Sequence, residues 1–336
     1  MRAILLIWAL ALLALGVPGT AQAECARVAK DLCATKNGHY RIRTPKGLGP
    51  FPTVLYLYGS MGQTRDLISY DAFVQTMTSR GYAVIVPAAL DLRYADGLDS
   101  GWHLRNERGK KPRDEVAFVA EVLRDAEQSF VINRREVLMV GMSRGGFLTW
   151  EIACHNPDLA KAYAPVAGSY HGRMPERCKA PVRIIHTHGT ADKIVPFRAG
   201  TVWTSGGAQA QKVDTALQRM ATTGGCAPKA TPVLYQGYQR TSWADCKNGG
   251  SGDLLVHNGG HTIPRNWYTT VLDWFEQDTP RRSPNVQEEV GGTAVFKGAG
   301  NRGAIGTRAP EAGTRVFRGS GQNSSGGRFK KVPGTQ

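Results

Sequence analysis

Between residues 38 and 280 the chain alternates two hydrophobic rhythms. Short apolar or β-branched runs stand at Tyr40–Arg43, Thr53–Tyr58, Ala83–Pro87, Val137–Gly141, Ala162–Ala167, Val182–His186, Pro232–Tyr235 and Leu254–His257. Several are continuously apolar, the pattern of strands covered on both faces. Between them the spacing predicts helices over Leu67–Arg80, Asp114–Phe130, Gly146–His155, Ala208–Thr222 and Asn266–Gln277. In the second of these, Val116, Val119, Leu123 and Ala126 share one face, as an amphipathic helix lying on a sheet requires. Strand and helix in regular succession predict an α/β fold with a mostly parallel central sheet and helices on both faces.

Outside this region the pattern changes. Arg2, the apolar stretch Ile4–Val17 and the small residues Ala21-Gln22-Ala23 have the layout of a secretory leader over residues 1–23,. The apolar stretch is short for a bilayer span, so no membrane span is expected. Residues 281–336 are rich in Gly, Lys and Arg, with few large apolar side chains and no sustained period. Such a segment cannot bury enough surface to offset its ordering entropy, and it reads as a flexible basic tail. Within it Gly292-Thr293-Ala294-Val295-Phe296-Lys297-Gly298 recurs as Gly313-Thr314-Arg315-Val316-Phe317-Arg318-Gly319. The tail suits contact with an acidic surface or polymer; the plainer reading is a solubilising tail. A single catalytic domain over 24–280 is left between the two.

Composition narrows the class. With 336 residues, 41% hydrophobic and 21% charged, the chain has enough apolar material for one medium-sized core,. The formal charge of +15 comes with no recognisable nucleic-acid-binding motif, so no specific nucleic-acid partner is expected,. The 6 cysteines, at 25, 33, 154, 178, 226 and 246, form an even set that fits an oxidising compartment,. Proximity in the chain suggests 25 with 33, 154 with 178 and 226 with 246, among many possible pairings. There is no C-x-x-C, which argues against a zinc ribbon or a thioredoxin-like centre.

The chemistry concentrates at three places. Ser143 lies in Gly141-Met142-Ser143-Arg144-Gly145-Gly146, directly after a predicted strand and before a predicted helix. Asp192 follows in His188-Gly189-Thr190-Ala191-Asp192, and His261 in Gly259-Gly260-His261. The order nucleophile, acid, base in a strand-to-helix setting points to a serine hydrolase. A serine hydroxyl is a weak nucleophile at neutral pH and needs a base to take its proton, here His261 oriented by Asp192. His257 is the nearby rival for that role. His186 and His188 form an H-x-H pair that could hold a metal, but no further ligands surround them, and no metal or cofactor is expected. Trp102 and Trp203 fit either a pocket wall or the core.

These residues carry a resemblance. Tyr58-Gly59-Ser60-Met61-Gly62-Gln63, Gly141-Met142-Ser143-Arg144-Gly145-Gly146, Ala164-Pro165-Val166-Ala167-Gly168, His188 through Pro196 and Gly259-Gly260-His261-Thr262-Ile263-Pro264 together resemble the α/β-hydrolases. More narrowly they resemble the secreted poly(3-hydroxybutyrate) depolymerase and feruloyl esterase group. The resemblance implies an α/β-hydrolase fold, a Ser143–Asp192–His261 triad and an oxyanion hole built from the backbone N–H of Arg144 and of Ser60 or Met61. It implies a small-molecule or polymeric ester as substrate: polyhydroxybutyrate-type, feruloyl or short-chain acyl. Relatives usually place histidine where this chain has Tyr58, and a small or amide side chain where it has Arg144. A cation beside the nucleophile would favour an acidic substrate group. Two other readings stand beside the esterase: a prolyl-oligopeptidase-like serine peptidase, and a non-catalytic wall- or polyanion-binding protein on the same fold.

Overall fold

A computed structural model of the chain describes residues 32–60, 71–90, 101–105, 113–198 and 210–277. The predicted leader and basic tail lie outside the described residues, as do Met61 and Trp203. Ten strands form one sheet: β1 Leu32–Thr35, β2 Gly38–Arg43, β3 Phe51–Leu57, β4 Ala83–Pro87, β5 Ile132–Met142, β6 Ala162–Val166, β7 Arg183–Gly189, β8 Val233–Tyr235, β9 Tyr238–Trp243 and β10 Ser251–His257. Among the described residues five α-helices accompany them: α1 Asp71–Ser79, α2 Glu115–Phe130, α3 Arg144–His155, α4 Val213–Gly224 and α5 Trp267–Glu276.

The sheet runs β1-β2-β4-β3-β5-β6-β7-β10-β9-β8. Its centre, from β4 to β10, is parallel, and antiparallel strands flank it on both sides. All five residues of β4 and of β6 are buried. Because neighbouring side chains in a strand point to opposite faces, both faces of this sheet are covered. This is the α/β-hydrolase fold.

Local chemistry explains the helices. Asp114 caps α2 by accepting the Ala117 N–H at 3.0 Å,. The buried face of α2 is Phe118, Val119, Val122, Leu123 and Ala126. Val116, expected on that face, is half-buried and packs against the core. Helix α1 is held to α5 through Arg80, whose guanidinium donates to Asp273 at 2.6 Å and pairs with Glu276. Among the described residues no helix is long and apolar enough to cross a membrane.

Two strands had no sequence signal. The short β1 is a partly exposed edge strand, and β9 reads Tyr-Gln-Arg-Thr-Ser-Trp with only its ends buried. β1 is only 4 residues long, and the antiparallel flank leaves the polar side chains of β9 largely uncovered, so hydrophobic pattern alone marks neither,. Disulfides join Cys154 to Cys178 and Cys226 to Cys246, as chain proximity suggested. Cys33 is also disulfide-bonded, with its partner outside the described residues.

Close packing of α3 against β3 depends on Gly145. A Cβ placed there would lie 2.0 Å from the Leu57 carbonyl oxygen and 2.5 Å from that of Tyr58. Backbone on both sides leaves no flexible group to yield. Gly145→Ala is therefore expected to destabilise the fold by about 3 kcal/mol, read as a lowered denaturant midpoint. An unchanged midpoint would show that α3 does not pack on β3 in this way.

Candidate active site

Parallel strands bring their C-terminal ends to one edge of the sheet, where loops can converge. The register draws a row across that edge: Met142 of β5 pairs with Val166 of β6, Val166 with Thr187 of β7, and Thr187 with Leu255 of β10. Ser143 follows Met142 directly, and Asp192 and His261 lie in the loops beyond β7 and β10.

Ser143 sits in a turn with φ 53° and ψ −117°. A residue with a Cβ takes this conformation only where its surroundings enforce it, at a cost of about 1–3 kcal/mol. Here they do. The Ser143 N–H donates to the Val166 carbonyl at 2.9 Å, and the Ser143 carbonyl accepts the Phe147 N–H at 3.0 Å as the first bond of α3. Glycines let the backbone close around the turn. A Cβ on Gly141 would meet Thr149 Oγ1 at 2.1 Å, and one on Gly168 would meet the Ser143 carbonyl at 2.8 Å. The tight turn lifts the hydroxyl out of the sheet at the N-terminus of α3.

Asp192 is 4% exposed and has a full set of donors. Its Oδ1 accepts the N–H groups of Ile194 and Val195, both at 2.9 Å. Its Oδ2 lies 2.8 Å from His261 Nδ1. His188 Nε2 stands 3.4 Å from the same oxygen. Burial alone would raise this carboxyl, but the donors from His188, His261 and Val195 outweigh it and hold it at about 2,. The loops carrying the acid and base pack backbone to backbone. Ala191 donates to the Gly259 carbonyl at 3.1 Å and Thr190 to the His257 carbonyl at 2.8 Å. A Cβ on Gly189 would strike the Gly259 oxygen at 2.2 Å.

The rival base is thereby placed. His257 ends β10 and accepts the Gly259 N–H on Nδ1 at 3.1 Å, so it supports the loop that delivers His261. Its imidazole is held below its ordinary value, by burial first and then by neighbouring His188. The structure brings His261 onto Asp192, and His257 beneath it. No cluster of His, Cys, Asp and Glu able to hold a metal occurs among the described residues.

Gly59 runs close to Ser143. A Cβ on Gly59 would lie 3.1 Å from Ser143 Cβ and 3.7 Å from its Oγ. Tyr58 braces this loop. Its hydroxyl accepts the Ala89 N–H at 2.7 Å, its carbonyl accepts Trp102 Nε1–H at 2.8 Å, and its ring packs on that of Trp102 at 5.4 Å. The tyrosine thus supports the loop from both its hydroxyl and its backbone carbonyl. Trp102 is fully buried and belongs to the core.

Arg144 departs from the sequence expectation. The side chain is 6% exposed, and its Nε donates to the Trp102 carbonyl at 2.7 Å. Its aliphatic stem fits against Gly101, where a Cβ would be 2.9 Å from Arg144 Cδ. The largely buried guanidinium thus ties the start of α3 to the 101–105 segment beside Ser143. That segment is further held by Glu115, which accepts the His103 N–H at 3.3 Å, and by Glu151, which accepts the Arg105 N–H at 2.7 Å. Nothing in the sequence separated these two uses of an arginine.

The fold is that of the α/β-hydrolases, and the chain is similar to several known proteins. Residues 68–176 match the prolyl oligopeptidase family, Peptidase_S9. The putative esterase NocK of Nocardia uniformis subsp. tsuyamanensis is 25% identical over 267 residues, covering 72% of this chain and 75% of that protein. Feruloyl esterase D of Neurospora crassa is 24% identical over 198 residues, 55% of each chain. The probable feruloyl esterase C of Aspergillus niger is 23% identical over 49% of this chain and 54% of its own. The chain thus spans about half the length of these feruloyl esterases. A crystal structure of a Bacillus cereus carboxylesterase superposes with a TM-score of 0.47 at 14% identity, over 70% of this chain and 92% of that one.

The Asp192 environment has a consequence for acid stability. Its folded value, about 2, lies below the ordinary 3.8, so the native state prefers the ionised carboxyl. A depressed group contributes stability that is complete above its unfolded value and is lost as pH falls through the folded one. About 2 kcal/mol should therefore disappear between roughly pH 4 and pH 2. Denaturant midpoints measured across this window should fall less steeply in Asp192→Asn than in the wild type. Parallel curves for the two proteins would contradict the donor set described here.

Proposed function

We propose that the protein is an exported serine hydrolase that cleaves carboxylic esters through Ser143, Asp192 and His261. One observation carries this reading most: the 2.8 Å contact of His261 Nδ1 with a buried, fully donated Asp192, at the sheet edge where Ser143 is held in a strained turn. The similarity to esterases supports the reaction class, and the disulfides support an oxidising compartment,.

The steps follow from this assignment of roles. His261 Nε2 takes the proton of the Ser143 hydroxyl as its oxygen bonds to the ester carbonyl carbon. The carbonyl π pair moves onto oxygen, and backbone N–H groups of Arg144 and Ser60 receive the resulting charge. The tetrahedral centre collapses, the alkoxide leaves with the proton from His261, and an acyl-enzyme remains. Water then attacks that ester, giving its proton to His261, and a second collapse frees the acid and returns the proton to Ser143. Asp192 stays ionised throughout, holding the imidazole in its Nδ1–H form and stabilising its cation.

The substrate is an acyl or aromatic ester, of the polyhydroxybutyrate, feruloyl or short-chain kind. The match to the prolyl oligopeptidase family favours a second reading, in which the same triad cleaves peptide bonds. A turnover panel separates the two: short and long acyl esters, feruloyl and acetyl-sugar esters, polyhydroxybutyrate film and proline-containing peptides. Ester turnover is expected, falling by roughly 10⁴-fold or more in Ser143→Ala while the melting temperature stays near wild type. Peptide turnover without ester turnover would favour the peptidase. Ester cleavage surviving in Ser143→Ala would overturn both.

A further inference from the structure

Behind Asp192 runs a buried line of ring nitrogens that the reaction above does not use. Trp150 Nε1 of α3 is 3.2 Å from His186 Nδ1, His186 Nε2 is 2.9 Å from His188 Nδ1, and His188 Nε2 is 2.7 Å from the Val195 carbonyl oxygen. His186 and His188 are both fully buried on one face of β7,. Phe197 packs on the ring of His188 at 5.4 Å, and His257 is a further titratable neighbour.

The direction of every hydrogen bond in this line is determined. An indole N–H can only donate, so His186 Nδ1 must accept and its proton must sit on Nε2. That proton points at His188 Nδ1, which must accept in turn. His188 therefore carries its proton on Nε2, facing two acceptors, the Val195 carbonyl and Asp192 Oδ2. A second proton on either imidazole would set two N–H groups head to head. Burial and neighbouring His188 also push His186 well below its ordinary value, which agrees with a neutral ring.

We propose that His188 is a positioning residue for the catalytic acid, its Nε2–H anchored on the Val195 carbonyl and held within reach of Asp192 Oδ2 by a one-way donor chain that starts at Trp150. The proposal rests on the reading of Asp192 as the triad acid. Oδ2 then has His261 at 2.8 Å and the more distant His188 Nε2 at 3.4 Å, while Oδ1 has two backbone N–H groups. The carboxylate cannot rotate without losing several of them. Trp150 belongs to the helix that begins at the nucleophile, so the chain also ties α3 to the acid loop.

Two variants divide the contacts of His188. His188→Asn offers an acceptor to His186 but no donor near Asp192; His188→Gln offers a donor near Asp192 but no matching acceptor. Loss of the donor leaves more charge on the oxygen that holds His261 and so stabilises the imidazolium. The acid limb of the kcat/KM profile should move up by roughly half a pH unit in His188→Asn, with a fall of about tenfold in kcat and little change in KM. The limb in His188→Gln should stay near wild type. Both variants are expected to melt lower, so melting alone decides nothing. Limbs identical in all three proteins would reduce His188 to a packing residue and overturn the proposal.

A second measurement needs no variant. Nitrogen-15 NMR of the wild type at pH 8 should show the ring proton of both His186 and His188 on Nε2. A proton on either Nδ1 at that pH would refute the chain, whatever Ser143→Ala does to turnover.

Discussion

At the end of β5 the backbone is forced into a conformation that leaves Ser143 with φ 53° and ψ −117°. That turn is expensive on its own, and much of the surrounding structure can be understood as what holds it. The Val166 carbonyl on β6 fixes the serine N–H, and glycines at 141, 145 and 168 let a strand, a helix and a neighbouring loop meet with backbone in direct contact. A turn of this kind cannot be assembled locally. It requires β3, β5 and β6 to be paired and α3 to be docked before its strain is offset, which links formation of the site to formation of the core.

The same edge divides its work between rigid strands and braced loops. Parallel pairing places the ends of β5, β7 and β10 in one row, within a few strand spacings of about 5 Å each. The loops beyond β7 and β10 then lock to each other through Ala191 and Gly259, and the acid is satisfied on both oxygens before any substrate arrives. Near Ser143, Tyr58, Trp102 and Arg144 form a hydrogen-bonded wall in which the two aromatic rings meet at a tilt. Preorganisation of this sort is what lets backbone dipoles act on a developing oxyanion without being rearranged first.

Most of the parallel core was legible in the sequence because its strands are continuously apolar and its helices carry a clear face. The order of Ser143, Asp192 and His261, each in a glycine-rich turn, was legible for the same local reasons. What escaped notice depends on partners distant in the chain. The polar β9 is a strand because β8 and β10 flank it, and Arg144 points into the wall because Trp102 offers a carbonyl there. The histidine line was half visible: strand alternation puts residues 186 and 188 on one face of a buried strand, where two imidazoles need partners. Only the fold reveals that one of those partners is an indole on α3, and that it fixes the direction of the whole line.

The account stands on a serine hydroxyl made nucleophilic by the imidazole of His261. A fluorophosphonate that labels activated serines, followed by peptide mass spectrometry of the intact wild type and of His261→Ala, reads this directly. A single adduct on Ser143 in the wild type, formed far more slowly in the variant, is the predicted result. An adduct on another residue, or labelling of Ser143 at an equal rate in both proteins, would contradict it.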